Sequence, residues 1–76
     1  MTRLPVLSGI ALCKILEKEG YHIDHQTGSH IILRNEKSPF RRLTVPNHKE
    51  VAKGTIRAVL RQAGLTLEEF ENLRRK

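Results

Sequence analysis

The sequence predicts an α+β protein in the order αβββα, with helices on one face of a three-stranded antiparallel sheet and a short C-terminal helix added. Three observations lead there. Residues 9–19 carry apolar side chains at helical spacing, residues 21–45 hold three short strand-like runs broken by turn residues, and residues 54–63 return to helical spacing. Consecutive strands joined by short turns make an antiparallel meander, and helices flanking it cover one face most simply, leaving the other open.

Each element has a local cause. Ser8 is an N-cap with Leu7 and Leu12 as a hydrophobic staple, so the first helix is expected from Gly9 to Glu19, with Gly20 as its C-terminal cap. Leu12, Ile15 and Leu16, with Ala11, share one face; Lys14, Glu17 and Lys18 face water. Strands are expected at Tyr21–His25, Ser29–Asn35 and Arg41–Val45, and Pro46 ends the third. Gly54-Thr55 opens the second helix, whose Ile56, Val59, Leu60 and Ala63 form one stripe, and Gly64 closes it. Lys53, Arg57 and Arg61 form its basic flank. Thr66-Leu67-Glu68-Glu69 is a capping box, with Leu65 and Phe70 as staple, for a third helix whose last residues, Arg74, Arg75 and Lys76, are expected to fray.

Length and composition narrow the classes of function. Seventy-six residues suffice for one domain, so residues 1–76 are expected to form a single unit. The lone Cys13 excludes an internal disulfide and fits a reducing, cytoplasmic setting. Met1–Leu7, interrupted by Arg3 and Pro5, does not read as a leader, and no apolar run approaches a membrane span. Fourteen Lys and Arg against 8 Asp and Glu give a net charge of +6, which favours polyanions, nucleic acid foremost. With only Tyr21, Phe40 and Phe70 as aromatics, a base-stacking platform is absent.

Strand register follows from the demand that apolar side chains share one face. A three-residue loop, Gln26–Gly28 with Gly28 left-handed, pairs Ile23 with Ile31 and Tyr21 with Leu33; the next hairpin then pairs Leu33 with Leu43 and Ile31 with Val45. The open face is expected to hold His22, Asp24, His30, Ile32, Arg34, Arg42 and Thr44. Asp24 would oppose His30, and Arg34 would oppose Arg42, a like-charge pair that an anion relieves.

That face suits phosphodiester chemistry. Cleaving RNA needs a group to take the 2′-hydroxyl proton, a group to protonate the leaving 5′-oxygen, and positive charge on the phosphate. His30 is the candidate acid/base, with Asp24 accepting a hydrogen bond from its ring. Arg34, Arg42 and the second helix, through Lys53, Gly54, Thr55, Arg57 and Arg61, are the candidate phosphate-binding groups. Gly28 and Ser29 form the positioning turn. Ser29 is no nucleophile partner for His30, because adjacent strand residues point to opposite faces. A metal site on His22, His25 and His30 is not expected, since His22 and His25 would alternate to opposite faces.

The order and spacing of Gly20-Tyr21, Gly28-Ser29-His30, Thr44-Val45-Pro46 with His48, Gly54-Thr55-Ile56-Arg57 and Gln62-Ala63-Gly64-Leu65 resemble the HicA-type toxins, small messenger-RNA interferases of type II toxin–antitoxin systems. The resemblance implies a double-stranded-RNA-binding-like fold and ribosome-independent, cofactor-free mRNA cleavage by the GSH-motif histidine, here His30. It also implies a HicB antitoxin that masks the site, the chain being a monomer or part of a toxin–antitoxin hetero-oligomer. Two departures stand out: Ile31-Ile32-Leu33 lacks the aromatic residue often found after the motif, and a capped helix follows Leu65. The alternatives are a non-catalytic RNA-binding module of the same fold, and a protein-interaction domain whose basic surface meets an acidic partner.

Overall fold

The computed structural model describes Leu4–Lys76. The reading of Met1–Leu7 rests partly on Met1, Thr2 and Arg3, which lie outside the described residues. Among the described residues no helix is long and apolar enough to cross a membrane.

Helix α1 (Gly9–Glu17) starts as its sequence dictates: the Ser8 hydroxyl accepts from the Ala11 amide at 3.0 Å. It buries Leu12, Cys13, Ile15 and Leu16. Burial first, and the nearby Glu17 carboxylate second, push the Cys13 thiol up to about 11, which leaves it an inert core residue. The helix ends two residues before the expected Glu19. Residues 18–20 form a turn, and Gly20 at φ 104° sends the chain into the sheet.

Strands β1 (Tyr21–Thr27), β2 (His30–Asn35) and β3 (Arg42–Pro46) form an antiparallel sheet in that order. The second hairpin has the expected register, with Leu33 opposite Leu43, Ile31 opposite Val45 and Arg34 opposite Arg42. The first does not. Its turn is the two residues Gly28-Ser29, with Thr27 opposite His30, and Ile23 faces Leu33 and Tyr21 faces Asn35. Gly28 has φ 53° and Ser29 a negative φ, the sign pattern of a type II′ hairpin turn with glycine first. Carried on without interruption, that turn would swing Tyr21 and Ile23 onto the uncovered face. A β-bulge between Ile23 and His25 prevents it, because one extra residue restores the parity of everything before it. Tyr21 is thereby buried, whereas Ile23, on the edge strand, stays 45% exposed.

Residues 47–52 lead to α2 (Lys53–Ala63), which buries Ile56, Val59 and Leu60. Gly64 ends it in the left-handed conformation, φ 73°, with the Leu65 amide donating back to the Leu60 carbonyl. Helix α3 (Leu67–Arg75) opens on the full capping box: the Glu69 amide donates to the Thr66 hydroxyl at 3.0 Å and the Thr66 amide to Glu69 Oε1 at 2.9 Å. It runs through Arg75. The Arg74 guanidinium holds Glu71 through two hydrogen bonds, and Lys18 Nζ donates to the Leu73 and Lys76 carbonyls at 3.2 and 2.7 Å. Cation and orphan carbonyls thus close the helix together.

The core lies between sheet and helices: Leu12 and Leu16 of α1, Ile31, Leu33, Leu43 and Val45 of the sheet, Ile56 and Leu60 of α2, and Phe70 of α3. This is the double-stranded-RNA-binding-like α+β arrangement. At one end α1 is clamped to the chain leaving β3. The Gly9 amide donates to the His48 carbonyl at 2.9 Å, the Val51 amide to the Leu7 carbonyl at 2.8 Å, and a Cβ at Gly9 would collide with the Pro46 carbonyl oxygen. Gly9→Ala is therefore expected to cost about 1–3 kcal/mol in urea unfolding, through forced displacement of backbone. Gly54→Ala, which meets nothing within 4 Å, is expected to gain roughly 0.5–1 kcal/mol from helix propensity.

Candidate nucleic-acid interface

His30 is the first residue of β2, directly after the Gly28-Ser29 turn, and it is exposed. Both neighbouring strands fix its backbone. Thr27 pairs with it on one side and Pro46 on the other, and the Asn47 amide donates to the Ser29 carbonyl at 2.6 Å, tying the turn to the segment that α1 clamps. The imidazole therefore stands on a braced scaffold.

Residues opposed in the ladder share a face, so the register lays out the uncovered side in three rows. His22, Arg34 and Arg42 form one, His25, Ile32 and Thr44 the next, and Thr27, His30 and Pro46 the third. Ile32 is 4% exposed although no helix covers it. The open face accordingly has an apolar centre, ringed in register by two histidines, an arginine and a threonine. Phe40, exposed and at φ 59°, sits in the β2–β3 connection beyond the arginine row, at the opposite end from His30.

Two expectations about this face are corrected by the bulge. Asp24 does not oppose His30: it is the extra residue, and its Oδ2 lies 2.7 Å from His25 Nδ1 and 3.9 Å from Arg34 Nε. His22 and His25 do not point to opposite faces. With Asp24 between them as the unpaired residue, both stand on the open side with His30, and the parity reason against a three-histidine cluster falls. Among the described residues no group of three or more His, Cys, Asp or Glu is placed to hold a metal ion.

Charge on the face is locally arranged. Arg34 directly opposes Arg42, a like-charge pairing that costs a few tenths to about 1 kcal/mol without an anion nearby. Asp24 offsets it only in part, being exposed and 3.9 Å away. His22 Nδ1 lies 3.7 Å from Glu36 Oε1. The Asp24 carboxyl is held below the usual carboxylate range, chiefly by the hydrogen bond from His25; desolvation opposes this, and the charges of His25, Arg34 and His22 add to it.

The remaining phosphate candidates lie elsewhere. Lys53, Gly54 and Thr55 open α2, whose N-cap, Ala52, makes no side-chain hydrogen bond and whose first turn holds no acidic residue. Arg57 and Arg61 line a groove with Leu60, Leu65 and Leu67 in the helical layer. The fold does not bring these five residues to the open face with His30. One further arginine had no sequence signal: Arg41 donates to the Gln62 carbonyl at 2.9 Å and packs over Gly64, closing the end of α2.

The family model of the HicA toxin of bacterial toxin–antitoxin systems matches residues 11–65, a span running from α1 through the end of α2 and including the turn, His30 and both open-face arginines. The chain belongs to the HicA toxin family. Comparison with curated proteins gives no match. As a HicA-family protein it is the toxin component of a toxin–antitoxin system, with an antitoxin as its partner. Helix α3 lies beyond the matched span and is packed into the same core through Phe70 and Leu73.

Because the folded Asp24 titrates below its unfolded value of about 3.9, the pair contributes stability that is present above that value and lost as pH falls through the folded one. Carboxyl NMR is expected to show Asp24 titrating below the ordinary range in the parent protein and within it in His25→Ala. An ordinary titration in the parent would refute the pairing.

Proposed function

We propose that this toxin is a metal-independent endoribonuclease that cleaves mRNA in the cytoplasm and so stops translation, with His30 as its essential acid/base. The observation that carries the reading is an exposed histidine on a rigid strand start, on the same open sheet face as an only partly relieved arginine pair, in a chain of HicA-family sequence. RNA supplies what that face lacks, since a phosphodiester between Arg34 and Arg42 removes their mutual repulsion.

In this reading the 2′-hydroxyl of the bound nucleotide loses its proton to the His30 imidazole as O2′ attacks phosphorus. Gly28 and Ser29 position the histidine through their turn. Arg34 is four residues along β2 from His30, about 13 Å at a strand rise of about 3.3 Å per residue. The arginines therefore hold a phosphate neighbouring the one that is cut, and Lys53, Gly54, Thr55, Arg57 and Arg61 serve phosphates or partner groups outside the cleavage site. The antitoxin is a HicB-like protein whose acidic surface masks the open face, drawn to a chain of charge +6. The whole chain, residues 1–76, acts as one HicA-like domain.

The test is incubation of the parent and of His30→Ala with a long unstructured RNA in EDTA, with both folds checked by circular dichroism. The parent is expected to cleave and His30→Ala to lose about 10²- to 10⁴-fold of the rate or more. Equal cleavage by both would remove His30 from the chemistry, and RNA retention without cleavage by either would leave a binding module. In the His30→Ala background, Arg34→Ala or Arg42→Ala is expected to weaken RNA binding and lower the salt slope by about 0.7 for each phosphate no longer neutralised.

A further inference from the structure

The nucleotide chemistry requires two proton transfers, and His30 performs one of them. On the open face the side chain best placed for the other is on β1. His25 pairs with Ile32, which makes it the diagonal neighbour of His30 on one side and of Arg34 on the other. Diagonal neighbours across antiparallel strands stand roughly 7–8 Å apart, a separation that two ring side chains span with a phosphodiester between them. The register of the Gly28-Ser29 turn sets His25 on this face, and the Asp24 bulge brings His22 to the same side.

His25 is also oriented. Its Nδ1 lies 2.7 Å from Asp24 Oδ2, so the ring donates there and Nε2 is the nitrogen left for a substrate. A carboxylate behind an imidazole fixes its tautomer and stabilises the imidazolium. Among the described residues no carboxylate pairs with His30. The two rings are thus differently equipped, one with a charge partner suited to a proton donor, the other without.

We propose that His25, held by Asp24, is the second catalytic residue, the general acid that protonates the leaving 5′-oxygen; this rests on the ribonuclease reading above. The step balances within RNA and protein. The 2′-hydroxyl proton goes to His30, the O2′–P bond forms, the P–O5′ bond breaks, and the proton on His25 Nε2 goes to the departing 5′-oxygen. The products are a 2′,3′-cyclic phosphate and a 5′-hydroxyl, and a second proton exchange with water resets the pair. Asp24 acts through His25 and is a positioning residue.

The charged and titratable groups facing His25 are His22 and Asp24 on β1, His30 and Arg34 on β2, and Arg42 on β3, with Glu36 beyond His22; after β3 the uncharged Asn47 meets the turn through its amide, and the His48 carbonyl turns to α1. An acid and a base needed in opposite protonation states make the pH–rate profile of the parent bell-shaped, with the basic limb reporting the acid.

The experiment measures that profile for the parent, His25→Ala, Asp24→Asn and His30→Ala on an RNA oligonucleotide, and on the same oligonucleotide with sulfur replacing the bridging 5′-oxygen at one site. Sulfur leaves without needing a proton. His25→Ala is expected to lose about 10²- to 10⁴-fold on the oxygen substrate and its basic limb, and to match the parent on the sulfur substrate. His30→Ala stays inactive on both. Asp24→Asn, which leaves the His25 ring without its orienting carboxylate, is expected to slow cleavage of the oxygen substrate and to match the parent on the sulfur substrate, while the fold and RNA binding persist. If His25→Ala keeps the parent's basic limb, or its loss persists with sulfur, the proposal is overturned while the ribonuclease reading stands. A parent that cleaves neither substrate overturns both.

Discussion

In a hairpin, the turn and the core each dictate which way side chains point, and the two demands agree only if the number of residues between them has the right parity. Here they conflict. Gly28-Ser29 is a good two-residue turn, with glycine where positive φ is required, but an unbroken ladder from it would put Tyr21 on the uncovered side. One unpaired residue, Asp24, resolves the conflict. Tyr21 keeps its place in the core, His22 joins the open side, and His25 and Gln26 stay where the turn sets them, opposite Ile32 and Ile31. A packing problem in the core is in this way coupled to the composition of the working surface.

The second constraint is the close approach at Gly9. The start of α1 leans on the Pro46 carbonyl and hydrogen-bonds to His48, and Pro46 is the ladder partner of His30. Asn47, the next residue, holds the Ser29 carbonyl. The turn, the histidine and the helix N-terminus therefore form one braced corner. Rigidity there serves the proposed chemistry, because proton transfer requires donor and acceptor within hydrogen-bond reach, and a misplacement of about 1 Å costs about 10²-fold.

Helix α3 illustrates how tertiary packing sets the extent of an element. Its beginning is local, a complete capping box in Thr66 and Glu69. Its end is not: Lys18, from the far side of the sequence, fills the carbonyls of Leu73 and Lys76, and the helix runs to Arg75. The same division holds for α2, closed by Gly64 in sequence and by Arg41 in space.

The sequence by itself determined the order of elements, both helix caps with serine and threonine, the left-handed Gly28, the closure of α2 at Gly64, the second hairpin's register and the exposure of His30, because each follows from periodicity, cap chemistry or a single residue's conformational preference. Face assignments for Tyr21, His22 and Ile23 were legible too, since the bulge shifts their partners by two residues and preserves parity. What only the tertiary structure decided was the bulge itself, with the partner of Asp24 and the face of His25. No residue near position 24 marks a bulge, because it arises from two distant demands, a turn at Gly28-Ser29 and burial of Tyr21 beneath the helices, that meet only when sheet and core are assembled together.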